Sequence, residues 1–216
     1  SKLQIIDKYA FSNSTIKDII IPKNIKEIKD YAFFKCQSFH SIEFCENCQL
    51  ERIGEYSFSE TSIATIKIPK EVTNIGQYCF SQCSNLQNIE FEKECKIQII
   101  NNDLFNGSGI ESITIPQYVT IIKERAFYNA KHFKNINFES YLYLKTIEKD
   151  AFFGSMIENI IIFGSLEELN DGWCNGIKNL QFFAITKYNL KYSLYDYKTI
   201  IGKKYMKDME YNQILI

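Results

Sequence analysis

A repeat of 47 residues limits this 216-residue chain to a small set of folds. Its three prolines, Pro22, Pro69 and Pro116, are 47 residues apart and end the similar phrases IIIP, IKIP and ITIP. One more period leads to Phe163, where the phrase IIIF continues without proline. Two further columns keep the register: Phe11, Phe58, Phe105 and Phe152, and Ile16, Ile63, Ile110 and Ile157. A fixed period of this kind indicates stacked structural units.

Each period divides into two similar halves. The chain contains 35 isoleucines but only 12 leucines, and β-branched residues favour strands. Strand centres are predicted at Ile19, Ile42, Ile66, Ile89, Ile113, Ile136, Ile160 and Phe183, which are 23 or 24 residues apart. This spacing predicts an array of eight coils within residues 1–185.

The phrase around each strand centre predicts which side chains face inward. In the segment from Ile110 to Pro116, alternation places Ile113 in the core and Thr114 outside, and proline ends the strand because it lacks an N–H. We expect a short helical turn where alanine precedes each phenylalanine. The fold class is therefore a leucine-rich-repeat solenoid, with a parallel β-sheet of about eight short strands and short helical turns or loops on the return path.

The string PKEVTNIGQYCFSQCSNLQNIEF, residues 69–91, resembles the repeat of BspA-like leucine-rich-repeat proteins. The resemblance covers residues 3 to about 185, and its paired long and short coils are more similar to the protist surface proteins of the family than to the bacterial ones. It implies a cell-surface or secreted protein of adhesion or interaction, and it brings no catalytic residues. Proline is missing from alternate coils, and Phe163 and Cys174 break the last period, so the array decays toward its end.

The two ends of the chain depart from the repeat. From Thr186 onward the register fails, and tyrosines interleaved with lysines predict that residues 186–216 form an irregular C-terminal cap or tail. A partner-binding or membrane-proximal tail is the alternative interpretation. Residues 3–11 resemble the second half of a long coil, which indicates an array cut from a longer chain.

Six of the seven cysteines fall into repeat columns, so we expect them to be free core thiols. Column neighbours two coils apart would be separated by about 9.5 Å, beyond the roughly 7 Å Cα limit of a disulfide. Cys45 has no repeat counterpart, and the Cys45–Cys48 pair lacks the second pair of ligands that a zinc site needs. We therefore predict no metal site.

Composition and motifs also argue against several functions. The chain has 25 basic and 26 acidic residues, so we expect no concentrated positive field that would attract nucleic acid. It contains no apolar segment long enough to predict membrane insertion. His40 and His132 lie about four coils apart, and there is no phosphate loop or nucleophile elbow. We predict a non-enzymatic protein without cofactors. Asn13 and Asn106 begin glycosylation triplets, which matter only if the protein is exported.

The outward face of the parallel sheet remains as the candidate binding surface. We expect it to recognise a protein or glycan partner, such as a host or extracellular-matrix surface, with the outward apolar residues Ile20, Ile161 and Phe182 as contact points. The alternative is that the same face is merely solvated. The candidate residues are Lys17, Ile20, His40, Glu43, Lys67, Glu90, Thr114, Asn137, Ile161 and Phe182.

The cellular location separates two functional hypotheses. The resemblance favours a cell-surface or secreted adhesion module. Free thiols instead favour a cytoplasmic leucine-rich-repeat scaffold or adaptor, because disulfides are rare inside cells. Neither the identity of the partner nor the oligomeric state follows from the sequence.

Overall fold

The chain is a solenoid in which longer and shorter strands alternate. The computed structural model describes residues 3–139, 143–157, 159–163, 168–170, 172–174 and 181–185. Its strands are β1 (Ile5–Ile6), β2 (Asp18–Ile21), β3 (Glu27–Ile28), β4 (Ser41–Phe44), β5 (Arg52–Ile53), β6 (Thr65–Ile68), β7 (Asn74–Ile75), β8 (Asn88–Phe91), β9 (Ile99–Ile100), β10 (Ser112–Ile115), β11 (Ile121–Ile122), β12 (Asn135–Phe138), β13 (Thr146–Ile147), β14 (Asn159–Phe163), β15 (Glu168–Leu169) and β16 (Gln181–Ile185). The predicted solenoid class is confirmed, and each predicted strand centre lies within one of the longer strands.

The longer strands pair in parallel and place isoleucine over isoleucine. They form a two-stranded sheet, β2–β4, and a six-stranded sheet, β6–β8–β10–β12–β14–β16. The shorter strands stack on another side of the coil as β1–β3–β5–β7 and β9–β11–β13–β15. The column that runs through the six-stranded sheet contains Ile66, Ile89, Ile113 and Ile136, each at most 6% exposed. Ile160 continues this column, because the preceding Asn159 pairs with Asn135.

The last strand pair differs from the expected register by one residue. Ile160 pairs with Phe182, and Ile161 pairs with Phe183. The assignment of Phe183 to the column of Ile160 was therefore wrong. The predicted step from Ile160 was 23 residues, whereas the observed step to its partner Phe182 is 22. Residues 186–216, where we expected a cap or tail, lie outside the described residues.

The corners after the short strands are hydrogen-bonded turns, and the described residues contain no helix. The expected helical turn at the Ala–Phe position was therefore wrong. The reason is that successive N–H groups alternate between two kinds of acceptor. Phe33 N–H donates to the carbonyl of Ser57 in the next coil at 2.8 Å, whereas Phe34 N–H donates to the carbonyl of Tyr31 in its own turn at 3.2 Å. Tyr31 and Lys35, with φ of 58° and 59°, are left-handed, and such residues four apart interrupt helical geometry.

A stack of aromatic rings fills the interior behind these corners. Centroids of successive rings are 5.0 to 5.6 Å apart, so each coil adds one ring to the stack. The rings are Phe11, Phe33, Phe58, Phe80, Phe105, Phe127 and Phe152. Trp173 then packs edge-on against Phe152 at 6.2 Å, so the aromatic column continues at residue 173 and not at Cys174, which lies 47 residues after Phe127.

A repeated carboxylate caps the backbone just beyond the longer strands. Glu92 Oε2 accepts a hydrogen bond from Lys70 N–H at 3.0 Å, and Glu139 Oε2 accepts one from Gln117 N–H at 2.8 Å. Each donor follows a proline of the preceding coil. Cys45 lies one period before Glu92 in this column, and its N–H bonds to Ile21 as the N–H of Glu92 bonds to Ile68. The cysteine without a repeat counterpart therefore occupies a capping position.

Candidate functional site

The outward side chains of the longer strands form one continuous surface, which we call the sheet face. It consists of the outward-facing residues on the longer strands β2, β4, β6, β8, β10 and β12 and the residue immediately before each of them. Backbone pairing sets Ile20 beside Glu43 and Lys67 beside Glu90. Alternation along each strand turns these residues outward while the neighbouring isoleucines remain in the core.

The structure places the described candidate residues on this surface. Ile20 is 63% exposed, although an isoleucine in this repeat is usually buried. The other exposed candidates are Lys17, His40, Glu43, Lys67, Glu90, Thr114 and Asn137. The side chains of Ile161 and Phe182 lie outside the described residues. Their role as contact points stays a prediction.

Two rows of different chemistry run across the sheet face. The first residues of the longer strands are small and polar, and the row contains Asp18, Ser41, Thr65, Asn88, Ser112 and Asn135. The second row contains Ile20, Glu43, Lys67, Glu90, Thr114 and Asn137, so its charges lie in the middle of the array. The rows touch where Asn88 Nδ2 donates to Glu90 Oε1 at 3.4 Å. The surface offers hydroxyls, amides and both signs of charge, a combination suited to polar recognition.

The charged groups of the sheet face remain available to a partner. Among the described residues, the ion pairs link neighbouring coils at other sides of the solenoid, such as Lys29 with Asp7 at 3.0 Å and Lys123 with Glu148 at 3.1 Å. None of those pairs includes a sheet-face residue. An incoming ligand can therefore pair with Lys67 or Glu90 without first breaking an ion pair in the described part of the chain.

The cysteines do not form a reactive centre. All seven are free thiols; Cys45 is exposed and the other six are buried. Burial raises the pKa of Cys83 to about 11, and that of Cys79 still further, so both stay protonated at neutral pH. Cys36 Sγ donates to the carbonyl of Phe11 at 2.8 Å. These thiols therefore act as core residues.

The other chemical motifs are also separate in space. Both histidines are exposed and belong to different coils, and no cluster of potential metal ligands occurs in the described ranges. The two glycosylation triplets differ in accessibility. Asn13 is exposed, and its Nδ2 donates to Ser12 Oγ at 3.0 Å. Asn106 is half-buried, and its Nδ2 donates to Oδ1 of the buried Asp103 at 2.6 Å. The amide of Asn106 is thus engaged in the folded protein.

Comparisons with solved structures support the architecture. A leucine-rich repeat protein from Bacteroides ovatus aligns with a TM-score of 0.60 and 22% identity, covering 85% of this chain and 60% of that protein. A leucine-rich protein from Eubacterium ventriosum gives 0.53 and 20% identity, covering 89% and 66%. A leucine-rich cell surface protein from Faecalibacterium prausnitzii gives 0.52 and 19% identity, covering 85% and 66%. The chain thus spans about two thirds or less of these proteins, which are bacterial; the more specific likeness to protist proteins stays a prediction.

Two further findings complete the comparison. In the part of the chain that the structure describes, no helix has the length and apolar character needed to cross a bilayer. No curated protein matches the chain. The family model described as BspA type leucine rich repeat region, with 6 copies, matches residues 4–106 and 98–200, and these ranges contain nearly the whole sequence. The chain therefore belongs to the BspA-type leucine-rich repeat family.

Proposed function

We propose that this chain is a non-enzymatic interaction or adhesion module that binds a protein or glycan partner at the cell surface through its sheet face. The observation that carries the proposal is the exposed polar surface itself, whose charges are not paired within the described residues. Family membership supports an interaction role, and the Faecalibacterium prausnitzii relative is described as a cell surface protein.

The width of the sheet face limits the kind of partner. Four residues of about 3.3 Å each make this strip about 13 Å wide along the strands, and each longer strand adds about 4.8 Å to its length. A narrow extended ligand, such as a glycan chain or an extended peptide, fits this strip better than a globular protein does.

A charge exchange tests the proposed surface. The double variant Lys67→Glu/Glu90→Lys keeps the net charge and the paired strand positions, but it inverts the charge pattern of the sheet face. We expect it to lose at least tenfold in binding to the glycan or matrix protein that the wild type selects from an array. Lys26→Glu/Glu51→Lys is the matched control, because both residues are exposed on neighbouring coils away from the sheet face. Equal binding by wild type and both variants would reject the sheet face as the binding surface.

The second candidate function is a cytoplasmic scaffold or adaptor, which the seven free thiols favour. Protease treatment of intact cells distinguishes the two locations. Rapid loss of the protein under conditions that spare cytoplasmic proteins supports the surface proposal. Survival of the protein until the cells are lysed supports the scaffold.

A further inference from the structure

A polar crevice lies at the corner that leads into the sheet, where a shorter coil runs between two longer ones. Phe105 and Ile113 are eight residues apart, whereas Phe80 and Ile89 are nine apart, so adjacent coils differ in length at this corner. The crevice has a volume of about 290 Å³. Its centre is formed by residues 107–109, and its sides are formed by the coils before and after them.

Glycine keeps this crevice open. A Cβ atom on Gly107 would lie 2.3 Å from Gln82 Nε2, and one on Gly109 would lie 2.0 Å from the carbonyl oxygen of Ser84. One period earlier the equivalent positions carry side chains that close the corner. There Glu60 pairs with Lys35 at 3.6 Å, and Ser62 Oγ donates to the carbonyl of Gln37 at 2.6 Å.

The lining of the crevice combines neutral hydrogen-bonding groups with positive charge. Gln82 and Asn129 supply amides, each of which both donates and accepts, and Ser84 supplies a hydroxyl. Lys131 and His132 stand on one side, and none of the described residues that line the crevice carries a carboxylate. Ser108 also lines it, and its hydroxyl, on a residue that is 3% exposed, has no hydrogen-bond partner among the described residues.

We propose that this crevice binds one acidic sugar, a pyranose ring that carries a carboxylate. The amides and the Ser84 hydroxyl match the ring hydroxyls, which are also donors and acceptors; Lys131 attracts the carboxylate, and His132 offers a ring N–H as a donor. The volume lies near the lower end of the roughly 300 to 1,000 Å³ typical of ligand pockets and therefore suits a single sugar. This site is separate from the sheet face and does not depend on the function proposed for it.

Titration of the isotope-labelled protein with three small probes tests the ligand class. Glucuronate has about 13 non-hydrogen atoms, for which ordinary ligand efficiency gives a dissociation constant of about 1 mM. We expect glucuronate to shift the amide resonances of Gly107, Gly109 and Asn129 with this affinity. Glucose lacks the charge and acetate lacks the ring, so both are expected to bind at least tenfold more weakly. Equal binding of glucose or of acetate, or shifts confined to other residues, would overturn the proposal.

Two variants locate the site. Gly107→Glu copies Glu60, which has the same left-handed backbone, with φ of 58° against 66°, and places a side chain with a carboxylate in the crevice. We expect it to weaken glucuronate binding more than tenfold. Lys131→Gln removes one exposed charge without changing the backbone and is expected to weaken binding about fivefold. Lys134→Gln, an exposed change on the sheet face of the same coil, should leave glucuronate affinity unchanged. If Lys131→Gln and Lys134→Gln have the same effect, the crevice is not the site, whether or not Gly107→Glu folds.

Discussion

Replacing Cys45 by glutamate should stabilise the protein by supplying a missing cap. In two later coils a glutamate in this column accepts the N–H of the residue after a proline, at 3.0 Å from Lys70 and at 2.8 Å from Gln117. The equivalent donor in the first of these coils is the N–H of Lys23, which follows Pro22 and has no acceptor among the described residues. Cys45 stands where the accepting carboxylate would be.

The expected gain follows from the value of one exposed hydrogen bond. A typical bond contributes about 0.5 to 1.5 kcal/mol, and solvent exposure of Cys45 places this one at the lower end, about 0.5 to 1 kcal/mol. That free energy corresponds to a roughly two- to fivefold slower hydrogen exchange at Lys23 if the cap holds the local structure closed. Cys45→Ser is the matched control, since it removes the thiol without adding a carboxylate.

The reciprocal change is Glu92→Ala, which should speed the exchange of Lys70 by a similar factor and lower the midpoint of urea unfolding. Amide exchange followed by NMR reads each donor separately and does not require the whole array to unfold in one step. An unchanged Lys23 rate in Cys45→Glu, together with an unchanged Lys70 rate in Glu92→Ala, would show that these hydrogen bonds contribute nothing and would refute the capping argument.

Three further predictions concern the core. Ile113→Ala should cost about 2 to 4 kcal/mol of unfolding free energy in urea titration, because the side chain is 2% exposed and leaves a cavity; Thr114→Ala on the sheet face should change it by less than about 0.5. Under native conditions at pH 7, a thiol reagent should modify Cys45 and spare the buried cysteines until denaturant is added, as mass spectrometry would show; rapid labelling of Cys83 would contradict its burial. Stability should also fall in alkali. Burial raises the folded-state pKa of Cys83, Cys95 and Cys174 to about 11. The unfolded chain therefore loses these protons first as pH rises above about 9, and the stability that the protonated thiols contribute is fully lost only near pH 11. Cys95→Ala should lose part of this pH dependence in denaturant titrations at pH 8 and pH 10.

The repeat made much of the fold predictable. An isoleucine that recurs every 23 or 24 residues must face the same neighbour in every coil, so the column from Ile66 to Ile136 follows from spacing alone. The corner conformation did not follow. Alanine and phenylalanine suit helices and turns alike, and the left-handed backbone at non-glycine residues such as Tyr31 and Lys35 is set by hydrogen bonds to the next coil.

The surface features were less visible in the sequence. The alternation of side chains along each strand predicted that Lys67 and Glu90 face outward. The width of the sheet face could not be predicted, because it depends on the lengths of the strands in the structure. The role of Cys45 could have been found, because a step of 47 residues leads to Glu92 and another to Glu139; a thiol at the first position and a carboxylate at the other two hid the shared role. The crevice arises where adjacent coils differ, at Gly107 and Gly109. The repeat pattern does not predict it, because that pattern shows only what the coils have in common.

Hydrogen bonding from each coil to its neighbour at the corners as well as in the sheet determines how the protein yields to tension. A pull on one end of the chain loads the terminal coil, and its bonds break before those of the coils behind it. Each released coil of about 24 residues lengthens the tether by roughly 80 Å at about 3.4 Å per residue. A module of this kind attached between two surfaces would unfold and lengthen one coil at a time, and this would limit the peak force on its bound ligand.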